Sequence, residues 1–226
     1  MPFFRAILAL SLLSSVSASA APRDYQLDPV HSRILFAVEH LGLSRAIGTF
    51  SAPRGWLRFD ADDWSTASGE IELDLRTLDL GDDEWNRRMA RRDSLDSKDN
   101  PIARWAIQRV EASGAHTFNA HGRLRFRGAE FPLSLAVTFN GIKRHPMTLR
   151  RTAGFSARAS LSRAALGIDK WEAMVGDVVE LQVEVEARRG TRRTGSGDSA
   201  EPGPETNPES MPTPEQEHAD AATQSH

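Results

Sequence analysis

Cysteine is absent from all 226 residues. That excludes disulfide staples, thiol catalysis and Cys-ligated metals, so any fold must hold by packing alone. Long apolar runs are scarce too. Past the first 20 residues no stretch approaches the ~18 apolar residues that a membrane-spanning helix needs. A basic excess is also missing: the formal net charge is −3, which gives nucleic acid no electrostatic hold. Catalytic signatures are lacking as well. The sequence contains no GxSxG, no GxxxxGK(S/T), no GxGxxG after a strand and no HExxH.

Two terminal segments lack the composition of a fold. Residues 1–20 read as a secretory leader, with Arg5 before the apolar run Ala6 to Val16 and a small-residue cleavage site at Ala18-Ser19-Ala20. This predicts export to the periplasm. From Thr191 to His226 there is no Leu, Ile, Val, Phe, Trp or Tyr, and seven acids face two arginines. Such a segment buries too little apolar surface to offset its chain entropy, so residues 191–226 are expected to be a disordered acidic tail. One domain is left, residues 21–190, large enough for a sizeable core.

Alternation of period two fills that domain. Ile71, Leu73 and Leu75 share one face of their segment. Leu124 and Phe126 oppose Arg123, Arg125 and Arg127, which are expected in solvent. Phe155, Ala157, Ala159 and Leu161 form another apolar row, and Val179, Leu181, Val183 and Val185 another. Turns are expected at Gly128-Ala129-Glu130, Asn140-Gly141 and Gly176-Asp177. One segment differs. Gly81 to Leu95 places Asp82 as an N-cap, acids in the first turn and arginines later, with Trp85 and Met89 on one face. That order predicts a short helix. The sum is an all-β chain of about eight antiparallel strands with one inserted helix, a sandwich or a closed barrel. An eight-stranded barrel is either filled by side chains or holds one small ligand, and periodicity does not choose between them.

The stretch DPVHSRILFAVEHLGLSRAIGTF, Asp28 to Phe50, carries two histidines. Ile34, Phe36, Val38 and His40 share a parity that His31 does not. On a regular strand the two rings would face opposite sides, so no His-pair metal site is expected. His40 ends an apolar row and is expected as a polar point near a cavity mouth or a strand rim.

Five motifs in order resemble the YceI-like family, the polyisoprenoid-binding or lipid-binding YceI-like domain. They are YQLDPVHSRILFAVEHLGLS with Gly48-Thr49-Phe50, LDLGDDEWNRRM with KDNPIARWAIQRV, HGRLRFRGAEFPLSLAVTFNG, GFSARASLSRAALGI, and VGDVVELQVEVEA. The likeness runs from Tyr25 to about Ala187. Departures occur at Ser94-Leu95-Asp96-Ser97, where the family carries two aromatics, at Leu166 in place of Phe, and at Trp105 in place of Phe.

The resemblance implies a lipocalin-like, extended antiparallel barrel with an apolar cavity for an isoprenoid-like lipid or similar amphiphile. It implies no catalytic residues, no cofactor and no metal. On that reading Ile34, Phe36, Val38, His40, Leu73, Phe126 and Phe155 are cavity-wall candidates. Arg45, Arg87 and Arg88 are head-group candidates, because a guanidinium fork can bond two phosphate oxygens, and Trp85 and Met89 are candidates to cap the barrel. The rival readings are a filled barrel without a ligand and, with less behind it, an enzyme acting on isoprenoid lipids. A homodimer stays open.

Overall fold

The computed structural model describes residues 21–191; the leader, and the tail past Thr191, lie outside the described residues. The first 40 of these residues form one long, twice-bent hairpin. Strands β1 (Arg23–Leu27) and β2 (Arg33–His40) run in succession along one arm, and β3 (Ser44–Ser51) and β4 (Arg54–Phe59) along the other. β1 pairs with β4 and β2 with β3. The chain continues through β5 (Ser68–Asp74), the two-residue β6 (Leu78–Asp79) and helix α1 (Asp83–Met89). Five long strands complete it: β7 (Ile102–Ala112), β8 (Thr117–Phe126), β9 (Ala129–Arg144), β10 (Arg151–Ser162) and β11 (Val175–Arg189).

Eight strands close a hydrogen-bonded antiparallel ring in the order β1-β4-β5-β7-β8-β9-β10-β11, with β11 returning to β1. The expected barrel is there, and β2, β3 and β6 extend it beyond the ring. β11 has two partners along its length. Ala187, Arg188 and Arg189 pair with β1, whereas Val175 to Glu184 pair with β2. At the β1 end every strand has two neighbours. At the β2 end the wall parts, because β4 pairs with β5 but β3 pairs only with β2 and the short β6. The helix and β6 stand beside that gap.

The short elements correct three expectations. The β8–β9 hairpin turns on Arg127-Gly128, both at positive φ (49° and 78°), which is the backbone a two-residue turn of this twist demands. Arg127 thus leaves the outward row. It is half-buried and donates to the carbonyls of Ser94 at 3.1 Å and Gly167 at 3.3 Å. Arg123 and Arg125, still on the strand, are exposed as expected. Asn140-Gly141 is not a turn: β9 runs through it as a bulge, with Gly141 opposite Gly154 but Phe139 opposite Phe155. Gly176-Asp177 likewise sits inside β11, where pairing to β2 skips from Val175 to Val179. The helix is capped by Asp82, whose carboxylate accepts from Trp85 N at 2.8 Å, and it ends after seven residues.

The bend between β1 and β2 accounts for His31. Asp28 is buried and its carboxylate accepts from Val30 N at 3.0 Å, from His31 Nδ1 at 2.7 Å and from Arg188 Nε at 2.9 Å. Ser32, fully buried, accepts from Glu186 N at 3.1 Å. Burial alone would raise the Asp28 carboxyl, but the bonds from His31 and Arg188 outweigh it and hold it below the usual carboxylate range. The Asp-x-x-His-Ser motif is therefore occupied in fastening the bend to β11. His31 and His40 do stand apart, yet the reason differs from face parity. His31 precedes β2 and His40 ends it, so the length of the strand separates them.

The closed end is filled by aromatic rings, which leave a void of only about 60 Å³. Tyr25 stacks on Phe59 at 4.6 Å, Phe59 on Trp64 at 5.3 Å and Trp64 on Phe118 at 4.5 Å, with Phe139 and Phe155 edge-on to the same group. Trp64 enters from a 3-10 turn, Trp64–Thr66, whose Asp63 cap accepts from Ser65 N. Aromatic pairs at these distances add roughly 0.5–1.5 kcal/mol each beyond area burial.

Candidate binding cavity

At the other end the barrel is hollow. A cavity of about 920 Å³ lies between β2, β5, β7, β8, β11 and the helix. Its deep wall is apolar: Ile34, Phe36 and Val38 from one side face Leu73, Leu124 and Phe126 from the other. Parity explains this row, since residues two apart on a strand share a face. One glycine makes room for it. Gly48 stands opposite Phe36, and a methyl group added there would come within 2.4 Å of the Phe36 ring. The ring can lie flat on β3 only because position 48 has no side chain.

Polar groups gather at the mouth. His40 closes the inward row of β2, with its ring 6.2 Å from that of Trp85. The helix contributes Trp85, Arg88 and Met89 to the lining. Arg88 lies over the Trp171 ring at 5.7 Å and 4.0 Å from Glu84. Trp171 belongs to the β10–β11 loop, which also brings Lys170 and Met174 to the opening. Lys170 is paired with Asp93 at 2.5 Å, and that bond holds the Asp93 carboxyl low.

A buried arginine fixes this loop. Arg163 donates to four carbonyls: Gly176 at 2.9 Å, Ile168 at 2.9 Å, Lys170 at 2.6 Å and Val175 at 2.8 Å. It lies in the cavity wall, and its guanidinium ties the two ends of the loop together. Sequence reasoning missed it, although a signal was present. Arg163 continues the inward parity of Phe155, Ala157, Ala159 and Leu161, so a charge stands where the row points into the barrel. Trp171 and Met174 gave no periodic signal, because they sit in a loop.

The structure brings most of the candidates together. Ile34, Phe36, Val38, His40, Leu73, Phe126, Trp85, Met89 and Arg88 all line the one cavity. Three candidates are placed elsewhere. Phe155 belongs to the aromatic packing of the closed end, because the inward row of β10 crosses from the solid half to the hollow half and only Leu161 and Arg163 reach the latter. Arg45 neighbours the inward-facing Ala46 and so points out, where it pairs with Glu180 at 2.7 Å. Arg87 is on the helix face turned away from the lining residues Trp85, Arg88 and Met89, and it is exposed.

The YceI-like domain model matches residues 25–187, which take in the cavity and all but the outermost residues of the ring. The chain belongs to the YceI-like family. A UPF0312 protein of Pseudomonas putida is 30% identical over 181 residues, covering 79% of this chain and 92% of its own length. Another, from Azotobacter vinelandii, is 30% identical over 184 residues, covering 80% and 94%. Among solved structures, BcnA of Burkholderia cenocepacia matches this YceI-like barrel with a TM-score of 0.64 at 21% identity, covering 71% of this chain and 98% of that one. A polyisoprenoid binding domain from Saccharophagus degradans matches with a TM-score of 0.52 at 13% identity, covering 74% and 98%. At those identities the structural matches speak for the fold.

Proposed function

We propose that this YceI-like protein is exported to the periplasm and there carries or sequesters a long apolar lipid of isoprenoid type. The observation that carries this reading is the hollow half of the barrel, whose wall is mostly apolar and whose buried cation, Arg163, is already engaged by four carbonyls. The Saccharophagus degradans neighbour, described as a polyisoprenoid binding domain, supports the ligand class. The leader residues 1–20 support export.

Chemistry sets the orientation. Each buried CH₂ contributes roughly 0.8 kcal/mol, so the chain belongs in the depth of the cavity, against Phe36, Leu73 and Phe126. A polar head cannot be buried dry without partners. It therefore sits at the mouth, where Arg88, Lys170 and His40 supply donors. The head-group role expected of Arg45 and Arg87 passes to the cations that line the opening. Binding and not catalysis is the reading here, because the wall against which a lipid would lie is mostly apolar and the guanidinium of Arg163 is taken up by four carbonyls.

Native mass spectrometry of protein purified without detergent tests this. The expected result is a bound mass in the isoprenoid series, exchangeable for added prenyl alcohols. Protein that is free of ligand and takes up no prenyl alcohol would overturn the proposal in favour of a barrel without a ligand.

A further inference from the structure

The cavity mouth is bounded by a continuous ring of contacts. His40 meets Trp85; Arg88, one turn along the helix, covers Trp171; Trp171 O accepts from Met174 N at 2.8 Å; and Met174 O accepts from Leu41 N at 2.7 Å, which returns the ring to His40. Five of the eleven large apolar side chains that are exposed among the described residues stand on or next to this ring. Leu43 is 84% exposed, Trp171 49%, Leu41 48%, Trp85 46% and Met174 37%. We infer that this rim docks the protein onto a zwitterionic phospholipid bilayer, with the cavity mouth facing the lipid. The inference rests on the proposed ligand class, because a long isoprenoid chain resides in a bilayer and must enter the cavity from one.

Charge and shape both select this partner. Three ion pairs stand beside the rim: Arg88 with Glu84 at 4.0 Å, Lys170 with Asp93 at 2.5 Å and Arg45 with Glu180 at 2.7 Å. The segment from Asp82 to Asp93 balances four acids with four arginines. Glu39 is offset by Arg45, and Asp169 and Glu172 outnumber Lys170 by one, so the rim carries almost no net charge; it matches a surface without net charge, and salt would change that contact little. A second copy of the chain fits less well. A stable protein interface takes about 800 Å² from each partner and has a packed apolar centre. Here the centre is an opening, which fluid lipid can fill and a folded surface cannot. Half-exposed tryptophans belong where one side is apolar and the other wet, which is the bilayer interface.

Flotation with phosphatidylcholine–phosphatidylethanolamine vesicles tests the inference. The chain used begins at Ala21, so that the apolar leader adds no membrane affinity; every strand of the barrel lies within residues 21–191. The variants are Leu43→Asp and Leu41→Asn. Neither residue lines the cavity, and Leu41 sits at a φ of 58° that asparagine tolerates. The wild type should float with the vesicles equally at low and high salt. Each variant should lose about tenfold in partition, as expected when one inserted leucine is removed. Their uptake of a prenyl alcohol offered without vesicles should be unchanged. A wild type that stays in solution, variants that float like the wild type, binding abolished by salt, or self-association that the variants disrupt would each overturn the inference. Loss of prenyl-alcohol uptake by the wild type itself, with flotation intact, would overturn the ligand reading and not the docking.

Discussion

The two ends of the barrel follow the same alternating pattern and reach opposite results. At the β1 end the strands form an unbroken ring, and Tyr25, Phe59, Trp64, Phe118, Phe139 and Phe155 fill it. At the β2 end the inward rows continue, but the wall parts beside β3 and none of the described residues plugs the opening, so about 920 Å³ stays open. Inward alternation therefore does not decide whether a barrel binds anything. Two other features do: the closure of the ring, and an inserted turn that delivers a large ring such as Trp64 to one end only. The polar bend at Asp28, His31 and Ser32 marks the boundary between the halves.

The sharpest way to break this comparison is to empty the solid end. Trp64→Ala should cost about 3–5 kcal/mol of folding stability by urea unfolding, since the ring is buried against four other aromatics. An unchanged midpoint would mean that the closed end does not carry the stability. The boundary comes next. Asp28→Ala should cost about 2–3 kcal/mol, because it strips a buried carboxylate from His31, Arg188 and Val30. This contribution depends on pH with a definite sign. The Asp28 carboxyl is held below its unfolded value of about 3.9, so its stabilisation is complete above that pH and fades as the pH falls through the folded value. The gap between wild type and variant, followed by thermal melts, should narrow in acid and stay constant from about pH 5 to 7.

The hollow end should respond differently. Phe36→Ala should cost only about 1–2 kcal/mol, because one side of the ring already faces open space, yet it should weaken prenyl-alcohol binding measured by titration. Gly48→Ala should likewise reduce uptake by forcing the Phe36 ring off β3 into the cavity. A stability loss as large as that of Trp64→Ala would erase the distinction between the ends. The smallest effect belongs to Arg45→Ala. Its exposed pair with Glu180 should contribute under about 1 kcal/mol, and neither melting nor lipid uptake should register its removal.

Much of this was legible in the sequence for a physical reason. Strand parity is local, so the inward placement of Phe36 or Leu73 and the outward placement of Arg125 follow from spacing alone. The helix was legible from Asp82 and the order of its charges. The failures share the opposite property. Asn140-Gly141 has the composition of a turn, but pairing on both sides carries β9 through it as a bulge. The parity of Phe155 gave its face but not its height along the barrel, and height decides between core and cavity. Arg127 and the β10–β11 loop depend on contacts between segments far apart in sequence, which no window of residues contains.

The two partners of β11 also govern when the molecule can form. β1 begins at Arg23 and its ring partner is Ala187 to Arg189, so the barrel is joined by the first and last strands of the domain. β2 likewise waits for Val175 to Glu184. Until the end of the domain has been synthesised, the first two strands each lack a neighbour, and the bend at Asp28 has neither Glu186 nor Arg188 to fasten to. A chain closed by contacts some 160 residues apart folds late and slowly. Without β11 the strands could form only an open sheet, and the last strand of the domain is the one that turns that sheet into a vessel.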